Sequence, residues 1–195
     1  DTARFLAQLC LQHLAEGTVR IVLVGGFPGT GKSTLATALA GDLGYEVIST
    51  DRVRKELAGL DPDTPAPAAF GAGLYAPELV ARTYAELMNR AATSVAAGRS
   101  VILDGTWTAP AAREQAVALA ERTSSALVPL RCVAPAAIAA ARMSTRRGPS
   151  DATPQIAADM RRHADPWFDA YPIDTAGDLT DARKNAVDVV LGRLR

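Results

Sequence analysis

The run Gly26-Phe27-Pro28-Gly29-Thr30-Gly31-Lys32-Ser33 constrains this chain more than any other feature of it. It matches G-x-x-x-x-G-K-S/T in full, after the apolar, β-branched stretch VRIVLV (19–24) and before a helical pattern over 32–43. Glycines at these places allow positive φ and let backbone N–H groups approach phosphate oxygens with no Cβ in the way. A helix starting near Lys32 aims its positive dipole end at the same phosphates. The expected ligand is Mg2+-bound ATP, cradled by Gly26–Ser33 with Thr34. Lys32 reaches the β- and γ-phosphates, and the Ser33 hydroxyl ligates the metal. The plain alternative is a glycine-rich turn that holds nothing.

The rest of the chain reads as strands alternating with helices, which predicts an α/β fold with a parallel sheet covered on both faces. Phe5, Leu6, Leu9, Cys10 and Leu14 recur at helical spacing, so 3–16 reads as an amphipathic lead-in helix that ends before Gly17. Further strands are expected at EVIS (46–49), SVIL (100–103), ALVPLRCV (126–133, with Pro129 at a bulge or strand edge) and weakly near 170–174. Helices are expected over 52–57, 76–97, 110–123, 135–145, 154–163 and 180–194. Residues 59–73 (GLDPDTPAPAAFGAG) have no periodicity and read as a mobile loop on the acceptor side.

Two carboxylates follow predicted strands. Ligands of an open parallel sheet bind outside the strands' carboxyl ends, so Asp51 and Asp104 are expected to face the crevice of the phosphate loop. Asp104 would orient Mg2+ or its waters; the alternative is a turn or helix cap before Gly105. Asp51 would accept the proton of an acceptor hydroxyl and orient that oxygen; the alternative is that it only caps the helix starting at Arg52. Arg54, one helical turn on, would bind acceptor or phosphate, or lie on a solvated face.

Arg142, Arg146 and Arg147 lie at the end of the helix expected after the fourth strand, directly before the Gly/Pro-broken GPSDAT, so 142–155 reads as a lid that would close over the phosphates. Arg146 is the first choice as charge stabiliser and Arg142 as a nucleotide contact, against the plainer role of helix C-terminal cations. Arg113 is a weaker candidate that either meets substrate or holds the Asp104 loop. Trp107 and Tyr75 would line the acceptor pocket or pack in the core. His163 has no evident catalytic partner and reads as structural.

With 195 residues, 48% hydrophobic and 22% charged, the chain reads as one globular domain over 1–195. Lys plus Arg equals Asp plus Glu at 21 each, which argues against bulk nucleic-acid or membrane binding. Cys10 and Cys132 read as buried thiols, and two histidines are too few for a zinc cluster. No apolar run reaches membrane-spanning length and no signal peptide opens the chain, so a cytoplasmic protein is expected. An opening Asp1 in place of Met predicts either a trimmed chain or a piece of a longer polypeptide, and in the second case a partner domain is expected upstream.

Taken together, GGFPGTGKST, STDRVR, VILDGTW with Arg113, and RMSTRRG followed by SDAT resemble the small P-loop kinases. That group includes gluconate kinase, chloramphenicol phosphotransferase, zeta-toxin-like kinases and polynucleotide 5′-kinases. The chain is most similar to the ATP-binding kinase domain fused behind aminoglycoside-phosphotransferase-like domains in bacteria. The resemblance covers about 18–175 and implies a three-layer α/β/α P-loop fold, with a five-stranded parallel sheet in the order 2-3-1-4-5. It also implies phosphate and Mg2+ roles for Lys32 and Ser33 and an acceptor-activating role for Asp51. Arg54 stands where polynucleotide kinases have the Arg of D-x-x-R, Asp104 matches the strand-three carboxylate, and Arg142 and Arg146 match lid arginines.

The sequence departs from a DNA-end kinase in having no signal of a basic groove. The expectation is therefore a kinase acting on a hydroxyl of a small molecule. A regulatory nucleotide-binding module of a fused enzyme and a polynucleotide 5′-kinase are the alternatives. No N-K-x-D sequence supports a GTPase.

Overall fold

The computed structural model describes residues 2–62, 71–145 and 154–193, with the backbone alone at 11, 12, 14–16 and 154. After helix α1 (Thr2–Glu16) comes strand β1 (Arg20–Gly25), buried along its whole length. Its side chains alternate between two cores. Ile21 and Leu23 enter one, and Val22 and Val24 the other. Such a strand has no polar face, which is why VRIVLV carries no alternation of polarity.

The sheet is completed by β2 (Glu46–Ser49), β3 (Val101–Asp104), β4 (Ala126–Val133) and β5 (Tyr171–Asp174), all parallel, in the order β2-β3-β1-β4-β5. This is the expected architecture. On one face, α3 (Thr50–Leu57), α4 (Pro77–Ala96) and α5 (Pro110–Thr123) supply Val53, Leu87, Ala91, Ala116 and Leu119 to the first core. On the other, α2 (Lys32–Leu43) and α8 (Leu179–Val190) supply Leu35, Leu39, Ala186 and Val190 to the second. Helices α6 (Ala136–Thr145) and α7 (Pro154–His163) flank the stretch 146–153, so Arg146, Arg147 and most of the expected lid lie outside the described residues. The same holds for 63–70 of the acceptor-side loop.

Pro129 causes no bulge. β4 pairs with β1 in unbroken register from Ala126 to Arg131, and β5 joins only at Leu130, so the proline sits where the second side of β4 is open. One expectation needs correction. Cys10 is exposed rather than buried, and the apolar residues Phe5, Leu6 and Leu9 of α1 are exposed with it. Their helical spacing makes a stripe, but among the described residues of α1 it stays exposed. Trp107 belongs to the first core at 1% exposure. Its indole donates to Leu103 O, and its backbone is left-handed with φ 55°. Trp107→Ala should cost about 3–5 kcal/mol of stability, the usual range for a buried aromatic, as read by denaturant unfolding. No helix among the described residues is long and apolar enough to cross a membrane.

Candidate active site

Strand register places the site. Val24 of β1, Ser49 of β2 and Asp104 of β3 stand side by side at the carboxyl ends of neighbouring strands. The turns that leave these strands therefore meet over one crevice of about 620 Å3, whose wall includes Lys32, Ser33, Asp51, Arg54, Tyr75 and Asp104. The wall also includes the apolar side chains of Val47, Val80 and Met160.

The phosphate loop runs from the end of β1 into α2, and two of its glycines cannot be replaced without displacing backbone. At Gly29, φ is +81° and a Cβ would stand 2.3 Å from the carbonyl oxygen of Ala139 in α6. At Gly26, φ is +139° and a Cβ would meet Thr30 Oγ1 at 2.6 Å. Gly31 caps α2 in the left-handed region with no side chain on the cap, which leaves the first N–H groups of the helix for an anion. The loop is held from inside by Thr30, which donates its hydroxyl to Phe27 O at 2.7 Å. From outside, Thr175 after β5 donates its hydroxyl to Thr30 O at 2.6 Å. Gly29→Ala should therefore weaken nucleotide binding at least about tenfold, since the loop must shift to clear the clash. Titration with a fluorescent ATP analogue reads this directly.

Ser33 donates its hydroxyl to Asp104 Oδ2 at 2.7 Å. Asp104 is 5% exposed, and its other oxygen, Oδ1, is buried with no hydrogen-bond partner. A buried carboxylate oxygen without a donor is costly, and a hydroxyl and carboxylate in contact are the donor set by which Mg2+ is held beside phosphates. The residues fit that ion.

Asp51 lies in the first turn of α3. The cap of that helix is Ser49, whose hydroxyl accepts from Asp51 N at 3.3 Å, so Asp51 is not the cap. Its carboxylate is held by two cations. Arg54 Nη2 donates to Oδ1 at 2.6 Å, and Lys55 Nζ stands 3.2 Å from Oδ2. The Arg54 guanidinium also lies 4.7 Å over the Tyr75 ring, and its Nε is buried with no partner. Arg54 is thus a crevice residue rather than part of a solvated face. Tyr84, also on the wall, accepts from Trp107 N at 3.1 Å. Burial pushes its phenol up, against the hydrogen bonds around it, so it stays protonated near neutrality.

Arg142 of α6 donates to Ala176 O at 3.3 Å, and its Nη1 would be 3.6 Å from a Cβ on Gly31, so it stands beside the phosphate loop. Two other candidates lie elsewhere. Trp107 is packed in the first core and is not on the wall of the main crevice. Arg113 donates to Pro166 O at 2.9 Å and lies 5.8 Å over the Trp167 ring, away from the crevice. His163 does reach the wall. Lys55 and Thr175 carry no signal in the sequence, Lys55 because TDRVRKEL reads as a polar helix and Thr175 because one threonine after a strand makes no pattern. Burial pushes the Cys132 thiol up to about 12, which leaves no thiolate near neutral pH.

The family model described as an AAA domain (AAA_33) matches residues 21–167. An uncharacterized protein of Mycobacterium tuberculosis and another of Mycobacterium bovis are each 44% identical to this chain over 178 residues. The match takes in 91% of this chain and 36% of theirs, so the chain spans little more than a third of the length of these relatives. Among solved structures, an unliganded sugar kinase from Janibacter is similar at TM-score 0.65 and 19% identity, over 91% of this chain and 99% of that one. A gluconokinase from Sinorhizobium meliloti gives 0.63 and 19%, over 90% and 93%. The Mycobacterium tuberculosis APS kinase CysC, solved with AMPPNP and APS, gives 0.66 and 14%, over 88% and 97%. Identities this low speak for the shared fold.

Proposed function

The chain belongs to the AAA domain family, and on that premise we propose that it is a phosphotransferase that moves the γ-phosphoryl group of Mg2+-bound ATP to a hydroxyl of a small acceptor. The observation that carries this reading is the convergence on one crevice of Lys32 from the phosphate loop, the Ser33–Asp104 pair and the Asp51 carboxylate. A bare nucleotide-binding module has no need of the third.

In this reading Gly26–Thr34 bind the phosphates through backbone N–H groups, and Lys32 neutralises charge between the β- and γ-phosphates. Ser33 and Asp104 would hold Mg2+, which when bound neutralises charge on the transferring phosphoryl group. Asp51 orients the acceptor O–H and takes its proton as the new O–P bond forms to the γ-phosphorus and the bond to the ADP oxygen breaks. Arg54 and Tyr75 border the acceptor, and Arg142 borders the nucleotide. Arg146 keeps its proposed part as charge stabiliser on the strength of the sequence alone.

The acceptor is not set by the fold. The similar structures include a sugar kinase, a gluconokinase and an APS kinase, so one architecture serves more than one acceptor. The fusion to an aminoglycoside-phosphotransferase-like domain concerns the part of the relatives beyond this match and stands as a proposal, as does a cytoplasmic location. ADP release from Mg2+·ATP across a panel of sugars, sugar acids, aminoglycosides, nucleosides and a 5′-hydroxyl oligonucleotide tests the reading. Acceptor-dependent release is expected. Nucleotide binding with no release from any acceptor would favour a regulatory module.

A further inference from the structure

Asp51 and Arg54 face the crevice, but Lys55 does not. Its side chain has 0% exposure and forms no part of the crevice wall, yet its ammonium stands 3.2 Å from Asp51 Oδ2. Residues 51, 54 and 55 share one side of α3, three and four positions apart, so the helix itself presents both cations to the carboxylate. Arg54 grips Oδ1 from the crevice side. Lys55 grips Oδ2 from the interior, with its side chain fully buried.

Stability alone does not account for a lysine there. Taking an ammonium out of water is expensive, and replacing a buried ion pair by apolar residues of similar volume is often neutral or stabilising. A carboxylate oxygen has two lone pairs, so one grip on each oxygen still leaves each able to accept from an incoming hydroxyl. The two grips also fix the plane of the carboxylate, whose terminal torsion is otherwise broad.

We propose that Lys55 is a positioning residue for phosphoryl transfer: it locks the Asp51 carboxylate from the protein side, so that the oxygens presented to the acceptor hydroxyl are pre-aimed. This inference rests on Asp51 acting on the acceptor hydroxyl in phosphotransfer. Lys55 itself touches neither acceptor nor nucleotide, and its effect passes entirely through Asp51. In phosphoryl transfer the carboxylate serves largely to orient the attacking oxygen, so aim matters more than basicity, and a flanking cation does not defeat the role.

The test compares wild type, Lys55→Met, Asp51→Asn and the double variant. It reads ADP release from Mg2+·ATP, with the panel acceptor that turns over and with water alone, alongside thermal unfolding and ATP affinity. Lys55→Met should fold with Tm within about 3 °C of wild type and bind ATP unchanged. Its turnover should fall about 10- to 100-fold, the usual loss when a supporting contact to a working side chain is removed. The double variant should be no slower than Asp51→Asn alone, because the lysine has nothing left to position.

Wild-type turnover in Lys55→Met would overturn the inference, as would losses that multiply in the double variant. Should the methionine variant fail to fold, Lys55→Gln removes the charge while keeping a donor and is judged by the same outcomes. Nucleotide binding with no ADP release from wild type would overturn the phosphotransfer reading itself, and the inference with it. Turnover that survives the loss of Lys55 overturns only the inference.

Discussion

Asp51→Asn is expected to cut acceptor-dependent turnover about a thousandfold while leaving ATP affinity within about twofold, the middle of the range for loss of a positioned general base. Asparagine keeps the shape of the side chain but cannot take the acceptor proton. Its amide group also turns a donor toward Arg54 or Lys55, where both oxygens now accept. A stability cost accompanies the loss, because Lys55 is left as a buried ammonium without its carboxylate. That cost should be about 1–3 kcal/mol, below the figure for a fully buried pair because Asp51 keeps 22% exposure. Rates are therefore compared well below the lowered Tm. A variant that folds, binds ATP and turns over at the wild-type rate would remove Asp51 from the mechanism.

Lys32→Ala is the second large effect. Lys32 is the first residue of α2, directly after the left-handed Gly31, so its ammonium and the dipole end of the helix act on the same phosphates. The side chain is partly exposed on the crevice wall. Removing it should lower kcat about a thousandfold, since its charge acts most on the oxygens that gain charge in the transition state. ATP binding should weaken less, about tenfold, because the backbone N–H groups of the loop remain. Stability should change little. Single-turnover kinetics at saturating Mg2+·ATP separates the two effects, and equal losses in binding and turnover would assign Lys32 to uniform binding only.

The phosphate loop was legible in the sequence because its backbone demands glycine at fixed spacing. Gly29, pressed on Ala139 O, and Gly31, left-handed at the head of α2, state that demand residue by residue. The place of Asp104 beside the phosphate loop was legible because it ends a buried strand, and the sheet order followed from the family resemblance. What was not legible depends on contacts between distant segments. Lys55 looks like one more charge on a polar helix until the fold buries it completely. Arg113 turns to Pro166 O, more than fifty residues along, and no spacing rule points there. Trp107 could have gone to the pocket or the core, and the hydrogen bond from its indole to Leu103 O marks the core. The apolar part of the crevice lining comes from Val47, Val80 and Met160 on three separate elements, so it had no local signature in the sequence.

Whether this chain transfers phosphate at all is decided by following ATP radiolabelled at its γ-phosphorus in the presence of the acceptor panel and Mg2+. Label is expected to pass from ATP to an organic product with wild type and to fail to do so with Asp51→Asn. Label that stays in ATP with every acceptor, while the protein binds the nucleotide, would contradict phosphotransfer by this site.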